Sequence, residues 1–89
     1  MKAVISVTGR DSLGIISKVS DVCARRGANI LDISQSVLQE YFTMTMVVDI
    51  DGLQEPFSAF VDEMTALGKA SFLEIHTMHE NIFHSMHRI

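Results

Sequence analysis

The stretch VTGRDSLGIISKVSDVCARRGANILDIS, Val7–Ser34, changes its hydrophobic period twice. Upstream, Lys2 to Thr8 is short and rich in β-branched residues, the pattern of a strand, and Gly9 ends it. From Ser12 the spacing becomes helical: Ile15, Ile16, Val19, Val22 and Cys23 share one face until Gly27. Arg25 and Arg26 fall in the last turn, where cations complement the carbonyl end of a helix. Beyond Asn29, Ile30 to Leu38 alternates with the period of a strand. At the first junction Asp11 is placed to cap the helix, and Gly14 then lies in its first turn, at a cost of roughly 1 kcal/mol relative to Ala. Two explanations for that glycine stay open. It exposes backbone amides to an anionic ligand, or it lets the helix pack closely on a sheet.

Working outward, Phe42, Met44, Met46, Val48 and Ile50 alternate with Tyr41, Thr43, Thr45, Val47 and Asp49, which predicts a strand joined to its predecessor near Gln39 and Glu40. Asp51 and Gly52 close it. Pro56 suits the first turn of a helix carrying Phe57, Phe60, Val61, Met64 and Leu67, with Gly68 as its end. Ala70 to Met78 reads as a fourth strand. The tail, residues 79–88, reads as an appended helix with His79, Ile82, Phe83 and Met86 on one side and Ile89 just beyond. Strand, helix, strand, strand, helix, strand is the α+β, ferredoxin-like βαββαβ plan.

The 89 residues fit a single domain, 1–89. A thin core and a mean hydropathy of +0.24 predict apolar surface left for self-association, hence a homodimer or higher oligomer. Seven Lys and Arg against eleven acids give a net charge of −4, which argues against a nucleic-acid face. Tyr41 and Phe42 lack the basic surroundings of an RNA-binding sheet. With one cysteine, no apparent signal segment and no run of membrane-spanning length, the expectation is a cytoplasmic protein with no membrane contact.

Gly9–Ser34 resembles the opening half of an ACT domain: an acid or Asn, a turn, Gly with an aliphatic neighbour, a helix, then Gly-x-Asn-Ile entering the second strand. Asp11, Gly14, Ile15, Gly27, Asn29 and Ile30 match in type and order. In length and predicted topology the whole chain is similar to stand-alone single-ACT proteins, and to the ACT units of the glycine cleavage system repressor and formyltetrahydrofolate deformylase. The resemblance implies a regulatory or sensor module, not an enzyme and without a cofactor, binding a small metabolite such as an amino acid at a dimer interface and modulating an enzyme or regulator. It nominates Asp11, Ser12, Leu13, Gly14 and Ile15 around the helix start, and Asn29 and Ile30 at the second strand. Leu13 stands where proline is frequent in the family. Asp11 suits an ammonium group while helix amides take a carboxylate. The alternative is an interaction module that keeps the dimer, lacks the ligand and docks partners on its C-terminal helix.

Other chemistry is weaker. Glu80, His84 and His87 share one flank of the tail helix, a spacing that suits a divalent metal but more often marks a solvated surface; His76 and His79 lie nearby. Cys23, on an apolar face, reads as a core thiol, and Met44, Met46 and Met64 as packing. No serine occupies a nucleophile elbow. Arg10 and Asn29 answer superficially to the arginine and asparagine of acylphosphatase, but fold likeness does not carry activity.

Overall fold

The structure, a computed structural model, describes residues 1–10 and 14–86, apart from the side chain of Met86. Its elements are β1 (Lys2–Gly9), α1 (Ile15–Arg26), β2 (Asn29–Leu38), β3 (Tyr41–Asp49), α2 (Phe57–Ala70), β4 (Glu74–His79) and α3 (Glu80–Met86). The strands form an antiparallel sheet in the order β2-β3-β1-β4. This is the ferredoxin-like βαββαβ plan with a short C-terminal helix.

Alternation decides which side of the sheet is the core. Ala3, Ile5 and Val7 of β1 pair with Val48, Met46 and Met44 of β3, and all six are buried. Ile75 continues that face on β4. Against it α1 sets Ile15, Val19, Val22 and Cys23, and α2 sets Phe60 and Met64. Burial pushes the Cys23 thiol up to about 11, so it is an inert packing group. On the opposite face the strands present Ser6, Ser34, Thr43 and Thr45, with Val4 buried where α3 meets β1 and β4.

Several boundaries differ from the sequence reading. Helix α1 starts at Ile15 and its cap is Gly14, so Gly14 precedes the first turn and the start implied by an Asp11 cap is three residues too early. Ile16 faces outward. Gly68 does not end α2, which continues to Ala70. A Cβ on Gly68 would lie 2.8 Å from the Leu73 carbonyl oxygen and 3.0 Å from Ile75 Cγ1, so this glycine lets α2 ride close over β4. Strand β4 therefore begins at Glu74, after the turn that this approach creates. His79 closes β4, and its Nδ1 accepts the Asn81 N–H at 3.2 Å at the start of α3. Ile82, expected on an apolar stripe, is exposed, and residues 87–89 lie outside the described residues. Among the described residues no helix is long and apolar enough to cross a membrane.

Candidate functional site

Gly14 has φ +72° and caps α1, and among the described residues no side chain caps the first-turn amides. Among the described residues a Cβ built on it meets nothing within 4 Å. Close helix-to-sheet packing is therefore not its reason. Glycine is suited to the left-handed turn, and no described residue crowds the space above it. Helix amides bordered by a residue without a side chain attract anions. Behind them Ile15 is buried and anchors the helix start in the core. Asp11, Ser12 and Leu13 lie outside the described residues.

The other nominated residues lie at the far end of the sheet. Asn29 pairs with Asp49, which pairs with Lys2, whereas Gly9, just before the α1 loop, pairs with Phe42. From Lys2 to Gly9 a strand advances roughly 23 Å. The nominated residues that are described thus fall into two separate groups on one chain: the cap of α1 at one end, and Asn29 with Ile30 at the other. The same separation parts Arg10 from Asn29, so one chain cannot direct both at a single acyl phosphate.

The turn before Asn29 is tightly specified. Gly27 has φ +82° and its backbone lies so close to Gly52 that a Cβ would collide with the Gly52 carbonyl. The Gln54 N–H donates to the Arg26 carbonyl at 2.8 Å. Arg26 donates from Nε and Nη2 to the Glu63 carboxylate at 3.0–3.2 Å, with Glu55 at 3.7 Å. The Arg26 hydrogen bond holds the Glu63 carboxyl below the ordinary range, while burial, then the neighbouring Glu63, pushes Glu55 up. Asn29 leaves this braced corner exposed, and Ile30 is half-buried.

Strand β2 runs between these two groups and is an edge of the sheet. Leu31, Val37 and Leu38 on it are exposed. The other edge, β4, is six residues long and leads directly into α3. Edge strands are normally blunted by charge, proline or brevity. Strand β2 has ten residues, no proline and one charge, Asp32, beside a bulge at Leu31.

The model of the ACT domain matches residues 2–77. The chain belongs to the ACT-domain family. A UPF0237 protein of Clostridium acetobutylicum is 44% identical over the full length of both chains. An ACT domain protein from Streptococcus pneumoniae is 43% identical, with a TM-score of 0.81 over 93% of each chain. A formyltetrahydrofolate deformylase from Pseudomonas syringae superposes with a TM-score of 0.77 at 20% identity, over 88% of this chain and 27% of that one, and this shows a shared fold alone.

The sequence reading missed one surface of this ACT domain. At the Gly9 end an open depression of about 480 Å³ is lined by Thr8, Gly9, Arg10, Tyr41, Ser71, Phe72, Leu73 and Glu74. Of the nominated residues that are described, Gly14, Ile15, Asn29 and Ile30, none lines it. Its lining comes from three distant segments, which no local spacing reveals. Among the described residues no group of three or more His, Cys, Asp or Glu side chains could hold a metal; of the candidates Glu80, His84 and His87, the last lies outside them.

Proposed function

We propose that this ACT domain is a non-catalytic regulatory module that binds a small zwitterion, an amino acid, between two copies of the chain. The observation that supports it is the separation of the two groups, read as half-sites, along β2. Two β2 edges paired antiparallel about a two-fold axis set the Leu38 end of one copy beside Asn29 of the other. Each α1 cap then faces the partner's Asn29 and Ile30, and two equivalent sites form across one interface. The α1 amides take the ligand carboxylate, and the partner's Asn29 amide fixes its polar end. Asp11, in the loop before the cap, is chemically suited to the ammonium group. Because the ligand spans both copies, it favours the subunit arrangement it fits, and a regulated enzyme or regulator reads that arrangement.

The test is a thermal-shift panel of the amino acids, with purines and folates beside them, followed by complementation. A ligand at a hundredfold excess over Kd stabilises the folded state by about 2.7 kcal/mol. Gly14→Asn, which tolerates the left-handed turn, and Asn29→Ala are each expected to lose the hit. Co-refolded, the two variants regain it, since a mixed dimer holds one site free of both changes. Loss without complementation sinks the shared site. No hit at millimolar concentration favours the ligand-free interaction module, for which the exposed Ile82 of α3 is the supporting feature.

A further inference from the structure

The depression at the Gly9 end goes beyond that reading. Thr8, Tyr41 and Glu74 belong to the sheet face turned away from α1 and α2, because their neighbours Val7, Phe42 and Ile75 point into the core. The Arg10 guanidinium lies 5.9 Å from the centroid of the Tyr41 ring. A guanidinium held over an aromatic ring keeps N–H groups able to donate to an oxyanion. Arg10 makes no ion pair among the described residues. Glu74 leans along β4, its Oε2 3.5 Å from His76 Nε2.

Phe72 is the residue without a folding explanation. It follows the C-cap of α2 with φ +58°, and its N–H donates to Lys69 while Leu73 donates to Gly68 at 2.8 Å. This is the helix-ending turn in which glycine is usual. A phenylalanine there carries backbone strain, and at 93% exposure its ring gains little from burial.

We propose that the depression binds a small aromatic carboxylate, its ring against Tyr41 and Phe72 and its carboxylate on Arg10. The volume falls in the range of small-molecule sites. Aromatic walls supply most of the affinity and one cation orients the ligand. Glu74 disfavours a second carboxylate and accepts an amine carried on the same molecule.

Tyr41 is the only tyrosine and the chain has no tryptophan, so intrinsic emission reports on this wall alone. Phenylacetate and phenylalanine are expected to change that emission saturably, with NMR shifts at Thr8, Gly9 and Ser71–Glu74; cyclohexylacetate and phenethylamine bind at least roughly tenfold more weakly. Arg10→Met weakens phenylacetate by roughly tenfold or more. Phe72→Gly, which relieves the strained turn and so keeps the fold, does the same. Gly14→Asn and Asn29→Ala leave the response intact, which separates this site from the interface between copies. The proposal is overturned if phenethylamine binds as well as phenylacetate, if neither Arg10→Met nor Phe72→Gly weakens binding, or if no probe binds at millimolar concentration. Concentration-dependent self-association abolished by Phe72→Gly would also overturn it, since a second copy would then cover the depression.

Discussion

Gly14, Gln39 and Phe72 share the left-handed region of backbone space, and only the first is a glycine. At Gly14 no described residue crowds a methyl group but the turn is unfavourable to it, so Gly14→Ala is expected to cost about 1 kcal/mol in chemical denaturation. At Gln39, with φ +55°, the exchange runs the other way: Gln39→Gly relieves the strain at some cost in chain entropy and is expected to gain about 0.5–1 kcal/mol. The Glu55–Glu63 pair makes stability depend on pH in two opposed directions. Glu63, held below its ordinary 4.5, contributes stability present above pH 4.5 and lost as pH falls through its lowered value. Glu55, pushed above 4.5, contributes stability present below that value and lost as pH rises through its raised one. Glu63→Gln is therefore expected to be less stable than the parent near neutrality, and Glu55→Gln more stable. In urea titrations across the acid range both differences shrink toward low pH. Parallel curves at every pH would show that neither carboxyl is perturbed.

Among the elements, α2 and β2 carry opposite lessons. In α2, helix propensity favours Gly68→Ala by about 1 kcal/mol. The Leu73 carbonyl 2.8 Å from the new methyl cannot move without disturbing β4, and overpacking of this kind costs about 1–3 kcal/mol. A net loss is expected, read as a lower urea midpoint with an unchanged m-value. In β2 the side chains that matter are those no helix covers. Val37 and Leu38 are 67% and 73% exposed, beside the hairpin turn of an edge strand. If two β2 edges pair, Val37→Lys with Leu38→Lys puts long cations in place of the apolar side chains that lie beside the partner's Asn29 and Ile30 at each end of the interface. Light scattering is then expected to show a monomer whose far-ultraviolet dichroism is unchanged. A dimer that survives both lysines would assign the contact to another surface.

For the whole molecule, one layer of helices on one sheet leaves a core of limited depth, and Phe60 of α2 is its largest fully buried side chain among the described residues. Phe60→Ala is expected to cost about 3–5 kcal/mol, a large share of the stability of a domain this size. Local pattern was enough for the fold, because alternation in β1 and β3 and the helical spacing of Val19, Val22 and Cys23 each name a buried face without reference to any distant residue. The opening motif was likewise enough for the family. Three things required the folded chain. Gly14, expected in the first turn of α1, serves a backbone angle at its cap, and Gly68, expected as the end of α2, serves a contact with β4; angle and distance are not encoded in residue type. The depression at Arg10, Tyr41 and Phe72 draws on segments more than thirty residues apart, and only the pairing of β1 with β3 and β4 brings them to one corner. The α1 cap and Asn29, parts of one motif, end up at opposite ends of the sheet because α1 runs back along its length before β2 begins.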